Sequence, residues 1–258
     1  MRFHKENPAI YYVIGVVAMG VVVVYITTAM IHRHSVNTNK QLTVSDSSLT
    51  EKDGIEDDTE QVDDEDEGDN AWKLLLVNAD HKLPDDYEEN LKLVSIQGDI
   101  MVDERIHDAL QQMLDDCRAA ELSPMVCSGY RSVAKQQTLY DNKVRSYVQQ
   151  GYSQAKAREE AAKWVTVPGT SEHHTGMAVD IVSVNNQRLE QEQEDTREQK
   201  WLMAHCAEYG FILRYPADKE AITGIHYEPW HYRYVGKKAA KYIKEHNLCL
   251  EEYVRLNS

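Results

Sequence analysis

The stretch SEHHTGMAVDIV, residues 171–182, places a carboxylate inside an otherwise apolar strand pattern. Alternate residues of a strand share a face, so Asp180 lies on the same face as Ala178 and Val182. An ionised carboxylate buried there needs a compensating partner, and a metal ion is one such partner. A loop through a glycine can bring His173 back beside Asp180, whereas seven residues of helix would separate them by ~10 Å. The stretch predicts a metal site; the alternative is a surface histidine and a hydrogen-bonded aspartate.

A second polar cluster lies in GIHYEPWHYRYVG, residues 224–236. Glu228 and His231 are three residues apart, so one can bind a metal while the other acts on water. A catalytic zinc usually takes three protein ligands and leaves a fourth position open, and His173, Asp180 and His231 would supply two nitrogens and one oxygen. The alternative is an aromatic strand with a structural Glu and His. The histidines that we assign to structure or surface are His205, His226 and His246.

The chain after residue 70 mixes predicted strands and helices without regular alternation, which favours an α+β fold over a doubly wound sheet. Apolar periodicity and turn signals predict the boundaries of both. Strands are predicted at 72–77, 91–96, 124–129, 178–184 and 211–215. Helices are predicted at 103–120, with Asp103 as N-cap, and at 132–150, 153–165, 198–209 and 237–247.

The charge of the chain is concentrated in one segment. The 258 residues include 28 Lys and Arg against 43 Asp and Glu, a net charge of −15. Twelve of the acids, with a single lysine, fall within 51–70. This balance argues against nucleic-acid binding, which needs a basic face. We expect 32–70 to be a disordered acidic linker, the alternative being a cation-binding or partner-binding tail, and 71–258 to be one domain.

Residues 9–31 contain 23 consecutive uncharged positions, enough for a helix to cross a hydrocarbon core of ~30 Å. We therefore predict a transmembrane anchor preceded by a short terminus at 1–8. A cleaved signal peptide is the alternative, but the segment is too long and lacks a small-residue cleavage site. The basic residues that decide orientation are balanced on the two sides of the span, and they are Arg2, Lys5, Arg33 and Lys40.

The four cysteines are far apart in the sequence and form no C-x-x-C pair, which argues against a zinc knuckle or a dithiol redox motif. Two disulfides are conceivable if the domain lies outside the cell. The alternative is that each thiol is a small apolar core residue. The residues concerned are Cys117, Cys127, Cys206 and Cys249.

Three spaced blocks carry a family resemblance. SGYRS at 128–132, together with the stretches at 171–182 and 224–236, resembles the signature blocks of the VanY-type D-alanyl-D-alanine carboxypeptidases. These zinc peptidases trim bacterial cell-wall peptides, and the resemblance extends from about residue 74 to residue 236. It implies a Hedgehog/DD-peptidase-like fold, in which a small central antiparallel sheet is flanked by helices.

The resemblance also implies roles for individual residues. One zinc ion per domain would be held by His173, Asp180 and His231, with Glu228 as the general base. His174 falls where the family varies, so it is not expected to be a ligand.

The remaining site residues implied by the resemblance contact the substrate. Arg131 corresponds to the arginine that steadies the reacting carbonyl or a substrate carboxylate. Ser171 and Gln137 are expected at the substrate by analogy.

The activity implied is removal of the terminal D-alanine from a pentapeptide stem of peptidoglycan. Two alternatives stay open: L,D-carboxypeptidase activity on a tetrapeptide stem, and a non-catalytic wall-binding module. Because peptidoglycan lies outside the cytoplasmic membrane, the resemblance implies a single-pass bacterial membrane protein with its amino terminus inside and its catalytic domain outside.

Overall fold

A four-stranded antiparallel sheet forms the centre of the fold in the computed structural model, which describes residues 71–84 and 86–257. The strands are β1 (Leu93–Gln97), β2 (Ile100–Asp103), β3 (Pro124–Ser128), β4 (Ala178–Ser183), β5 (Phe211–Leu213) and β6 (His231–Tyr234). The strand order in the central sheet is β3-β4-β6-β5, and a separate hairpin pairs β1 with β2.

Seven α-helices accompany these strands in the described ranges. They are α1 (Glu104–Ala119), α2 (Val133–Gln149), α3 (Gln154–Ala162), α4 (Arg197–His205), α5 (Glu220–Thr223), α6 (Lys237–Glu245) and α7 (Leu250–Leu256). Side-chain oxygens cap the starts of four of them, as their sequences suggest. The capping residues are Asp103, Ser132, Ser153 and Thr196.

The apolar core lies between the sheet and α1. Every residue of β4 is buried, because the strand has neighbours on both edges and the sheet is covered on its faces. The residues that recur at helical spacing along α1 are buried against the sheet, and they are Ile106, Leu110, Met113, Leu114 and Cys117. A second apolar cluster joins α6 and α7 to the edge of the sheet.

The α+β class and the small antiparallel sheet flanked by helices are confirmed. The predicted strand at 72–77 is wrong: Ala71–Leu74 is a 3₁₀ helix, and residues 75–77 pair with no strand. Its leucines Leu74 and Leu76 instead pack against the cluster of α6 and α7. A short apolar run predicts that its residues are buried, but it does not show whether a neighbouring strand is available to pair with it.

Three predicted helices differ in extent, and one strand and two helices were not predicted. The helix predicted at 198–209 changes to a 3₁₀ turn at Cys206–Tyr209, and the one predicted at 153–165 ends at Ala162. The one predicted at 237–247 ends at Glu245. The strand β2 and the helices α5 and α7 are short and follow no long periodic pattern, so the sequence did not predict them.

All four cysteines are free, so the disulfides considered from the sequence are not formed. Cys117, Cys206 and Cys249 are buried and Cys127 is partly buried. Burial raises the pKa of Cys117, Cys127 and Cys206 to about 12 and that of Cys249 to about 11. Such thiols are protonated and unreactive at neutral pH.

The predicted segments 1–8, 9–31 and 32–70 lie outside the described residues. In the part of the chain that the structure describes, every helix is too short or too polar to span a bilayer.

Gly176 turns the chain into β4 with a φ of +69°, in the left-handed region that favours glycine. A Cβ atom there would lie 2.8 Å from the Asp103 backbone nitrogen, whereas a Cβ on Gly224, with φ +72°, would meet nothing within 4 Å. Both glycines therefore adopt a left-handed backbone conformation, but only Gly176 has neighbouring atoms where a side chain would lie.

We predict that Gly176→Ala lowers the free energy of unfolding more than Gly224→Ala does. The left-handed backbone costs both variants about 1–2 kcal/mol, and the clash with Asp103 adds about 1–3 kcal/mol at Gly176 alone. Urea unfolding followed by circular dichroism measures both. Equal losses would show that the packing around Gly176 does not limit the turn.

Candidate metal centre

Backbone pairing brings the three sequence blocks together. In the antiparallel pair β4 and β6, Asp180 lies directly opposite His231, and in β3 and β4 Asp180 pairs with Ser128. Glu172–Thr175 forms a 3₁₀ turn that ends at Gly176, and this turn returns His173 to the same point. The carboxylate and both imidazoles thus converge at one end of the sheet.

His173, Asp180 and His231 form a buried cluster of possible metal ligands. One ligand atom from each lies within 4.8 Å of the others, and each residue is at most 4% exposed. His173 Nε2 is 3.3 Å from Asp180 Oδ2, and His231 Nδ1 is 3.3 Å from Asp180 Oδ1. Among the residues described, no other group of three such side chains has this geometry.

The hydrogen bonding of His173 fixes which nitrogen faces the cluster. His173 Nδ1 lies 2.7 Å from the carbonyl oxygen of Gly129, to which it donates. Nε2 is then the bare nitrogen and points at Asp180. A carbonyl partner on the outer ring nitrogen is the usual way in which proteins orient a metal-binding histidine.

His174 is also buried but faces away from the cluster. Its Nδ1 is 2.5 Å from the Arg131 carbonyl oxygen, and its Nε2 accepts the backbone N–H of Gly169 at 3.2 Å. Both ring nitrogens are therefore engaged with backbone, so His174 holds the loop that carries Arg131.

The pKa values of the cluster describe how its charges are balanced. Burial, aided by Arg131, lowers the pKa of His173 to about 4. Burial raises the pKa of Asp180, but the two imidazoles outweigh it and hold the pKa below its ordinary range. Burial lowers the pKa of His231, but Asp180 and Glu172 outweigh it and raise the pKa to about 9. An ionised carboxylate beside a neutral imidazole is a donor set suited to a cation.

Glu228 lies at the edge of the cluster, with Oε2 at 3.5 Å from His231 Nδ1. Burial raises its pKa to about 8; the negative charge of Asp180 adds to this shift, whereas His231 opposes it. A carboxyl group whose pKa lies near neutrality is matched to proton transfer in both directions. The structure therefore brings Glu228 to the centre without making it a member of the three-residue cluster.

Arg131 reaches the same point from the loop after β3. Its Nη1 donates to Gln136 Oε1 at 3.0 Å, and its Nη2 donates to Ser128 Oγ at 2.8 Å and lies 3.5 Å from Asp180 Oδ2. The guanidinium is thus held rigidly beside the cluster, where it offers a fixed positive charge.

The other two substrate residues expected from the sequence are placed differently. Ser171 is buried and lines the cleft above the cluster. Gln137 is not brought to the cleft: it is exposed and donates to Asp141 Oδ1 at 2.9 Å. Its neighbour Gln136 is buried and lines the cleft. Successive helical residues point about 100° apart, so Gln136 and Gln137 lie on different faces of α2.

The cluster opens into a cleft of about 450 Å³. Beyond the metal ligands, its wall continues along α2 to Lys143 and Trp164, whose ammonium and indole groups are 5.2 Å apart. Tyr215 and Trp230 line it near His231. A cleft of this volume accepts a short peptide segment.

Sequence analysis missed a group of buried charges behind the centre. Glu172, Arg214 and Arg233 are at most 1% exposed, and Glu172 Oε1 accepts from Arg214 Nε at 2.7 Å and from Arg233 Nη1 at 2.9 Å. Burial raises the pKa of Glu172, but the guanidinium groups and His231 outweigh it and hold the pKa well below its ordinary value. The available signal was the position of Glu172 beside His173 and of Arg233 within β6.

Comparisons with known proteins agree with this geometry. The VanY family profile, described as D-alanyl-D-alanine carboxypeptidase, matches residues 99–237, which contain all three blocks. The chain belongs to the VanY family. A VanY-family relative named D-alanyl-D-alanine carboxypeptidase, from Enterococcus faecalis, is 45% identical over 183 residues, covering 71% of this chain and 66% of the relative. The chain thus spans just under two thirds of that relative's length.

Two solved structures share the fold. A vancomycin-resistance D,D-pentapeptidase VanY variant in complex with Zn(II) is 44% identical, with a TM-score of 0.65, covering 71% of this chain and 99% of that one. The LD-carboxypeptidase LdcB is 38% identical, with a TM-score of 0.60, covering 70% of this chain and 84% of that one. Members of this fold thus include D,D- and L,D-specific enzymes.

We predict that His173→Ala and His231→Ala each abolish stoichiometric metal binding, whereas His174→Ala retains one equivalent. The first two remove a cluster nitrogen, but the third removes only contacts to backbone. Elemental analysis of purified protein after dialysis against zinc measures the ratio. Full zinc content in His231→Ala, or its loss in His174→Ala with the fold intact, would contradict the assignment.

Proposed function

We propose that this protein is a zinc-dependent D-alanyl-D-alanine carboxypeptidase that removes the C-terminal D-alanine from peptidoglycan stem peptides. The observation that carries the proposal is the buried His173, Asp180 and His231 cluster with Glu228 beside it, in a chain of the VanY family. The name of the Enterococcus faecalis relative supports the same activity.

The donor set fits zinc. Two imidazole nitrogens and one carboxylate oxygen are a common catalytic zinc set with room for water or substrate. A buried polar atom without a hydrogen-bond partner, Asp180 Oδ1, also lies here. When bound, zinc supplies a Lewis acid that polarises the scissile carbonyl and makes water more acidic.

Glu228 is positioned to move the protons of the reaction. Its carboxylate accepts a proton from the attacking water, whose oxygen bonds to the carbonyl carbon. It then delivers that proton to the nitrogen of the leaving D-alanine as the C–N bond breaks. A buried carboxyl near His231 can hold the proton between these two steps, because burial disfavours its ionised form and so raises its pKa.

Arg131 supplies the fixed positive charge of the site. Its contacts to Gln136 and Ser128 hold the guanidinium in one place, so little reorganisation is needed when negative charge appears on the substrate. That charge is the developing oxyanion or the terminal carboxylate, both of which match the planar guanidinium donors. Ser171, at the lip of the cluster, is positioned to contact the substrate backbone.

An L,D-carboxypeptidase acting on tetrapeptide stems is the second candidate. The similarity to the LD-carboxypeptidase LdcB favours this alternative. Both activities use the same metal chemistry, so the shape of the cleft decides between them. A non-catalytic binding module is disfavoured because the ligands and Glu228 are all present and assembled.

We also propose that 9–31 anchors the protein in the cytoplasmic membrane, with 1–8 inside and 71–258 outside. The uncharged length of 9–31 supports a spanning helix. The acidic linker 32–70 would hold the domain away from the bilayer and towards the wall, because like charges extend a chain.

We predict that Glu228→Gln binds one zinc but loses activity by about 10²–10⁴-fold, since the amide cannot accept the water proton. Release of D-alanine from a pentapeptide measures turnover, and elemental analysis of the same sample measures zinc. Wild-type turnover in a zinc-loaded Glu228→Gln protein would remove Glu228 from the role of base.

We predict chelator-sensitive release of one alanine from peptides that end in D-Ala-D-Ala. Mass spectrometry of pentapeptide and tetrapeptide muropeptides, incubated with the zinc-loaded protein, measures the products. Loss of alanine from the tetrapeptide alone would establish the L,D alternative, and no loss from either would contradict both peptidase proposals.

For topology, we predict that a protease added outside intact cells removes the domain from the membrane fraction, because the linker is exposed there. A chain carrying an amino-terminal tag should keep that tag protected. Protection of the domain in intact cells, with digestion after lysis, would contradict the proposed orientation.

A further inference from the structure

We infer that Glu172 is a positioning residue for the metal centre: its Oε2 accepts the Nε2–H of His231 and so holds Nδ1 towards the metal. This inference rests on the proposed zinc site and adds to it a residue outside the three ligands and the base.

The two nitrogens of His231 face different groups. Nδ1 lies 3.3 Å from Asp180 Oδ1 and 3.5 Å from Glu228 Oε2, on the side of the cluster. Nε2 lies 3.6 Å from Glu172 Oε2, on the opposite side. A neutral imidazole carries one proton, so when Nδ1 is bare and faces a cation, Nε2 carries the proton and needs an acceptor.

Glu172 Oε2 is the acceptor that the described residues offer. Both His231 Nε2 and Glu172 Oε2 are buried, and neither has a hydrogen-bond partner within normal distance. A shift of a few tenths of an ångström would close the 3.6 Å gap into a hydrogen bond. A buried polar atom without a hydrogen bond costs free energy, and a hydrogen bond between these two atoms would remove that cost for both.

Glu172 is itself held in place by its other oxygen. Oε1 accepts from Arg214 Nε and Arg233 Nη1, and Arg233 Nη2 also donates to the carbonyl oxygens of Lys73 and Leu75. Both guanidinium groups thus bind the same oxygen of Glu172, and these two hydrogen bonds fix the orientation of the carboxylate. Oε2 is left directed at His231.

Glu251 provides a matched comparison within the same cluster. Its two oxygens accept from Arg214 Nη1 at 2.9 Å and Nη2 at 2.6 Å, so it binds the same guanidinium as Glu172. Its further contact is with Asn78 rather than with His231. Loss of either carboxylate disturbs the charge of the cluster, but only Glu172 reaches a metal ligand.

The test compares Glu172→Gln with Glu251→Gln in the full-length protein. The Gln side chain keeps an oxygen for the guanidinium groups but presents an NH₂ donor to the Nε2–H of His231. Zinc affinity is measured by competition with a chromophoric chelator, and folding by thermal unfolding of the metal-free proteins.

We expect Glu172→Gln to bind zinc about 10–100-fold more weakly, as is typical for loss of a carboxylate behind a ligating histidine. The zinc affinity of Glu251→Gln should stay within about twofold of that of the wild type. This should hold even if its midpoint of thermal unfolding falls by as much as that of Glu172→Gln. Unchanged zinc affinity in Glu172→Gln, or equal weakening in both variants, would overturn the inference.

A second measurement on the wild type covers the case in which Glu172→Gln does not fold. Nitrogen-15 NMR of the zinc-loaded protein should show His231 protonated at Nε2, with that proton protected from exchange. A proton on Nδ1 would overturn the inference. Since neither readout uses peptide hydrolysis, failure of the proposed peptidase activity is a separate result, and a wild type that binds no zinc would contradict the zinc site itself.

Discussion

The pairing of β4 with β6, which sets Asp180 directly opposite His231, is the constraint on which the rest of the site depends. A slip of one residue would turn Asp180 to the other face of the sheet and separate it from the imidazole. The turn through Gly176 then fixes the remaining ligand, because it returns His173 to the end of the same strand. The centre is therefore specified by backbone geometry before any metal is added.

Charge burial is the physical cost of this arrangement, and the structure offsets it on two sides. On the inner side, Arg214 and Arg233 neutralise Glu172 in a fully buried cluster. On the cleft side, burial raises the pKa of Glu228 and the negative charge of Asp180 adds to this shift, so a divalent cation would favour the ionised carboxylate. Buried ion pairs seldom add net stability. We interpret this cluster as serving the geometry of the site.

The sequence was sufficient for the parts of the fold and site that have short-range signatures. The helical spacing along α1, the cap at Asp103 and the apolar alternation around Asp180 each predict what the structure contains. Contacts between distant residues left no such signature, since Glu172 meets Arg214 and Arg233 across 42 and 61 residues. The exposed position of Gln137 on α2 was not predictable for another reason, because sequence does not fix helix phase to one residue.

The central claim is that His173, Asp180 and His231 together bind one zinc ion. Anomalous diffraction from crystals of the zinc-loaded protein, recorded at energies on either side of the zinc edge, tests it most directly. The account predicts one strong peak at about 2.0–2.2 Å from His173 Nε2, an Asp180 carboxylate oxygen and His231 Nδ1. A peak bonded to His174, or the absence of any peak between these three side chains, would contradict it.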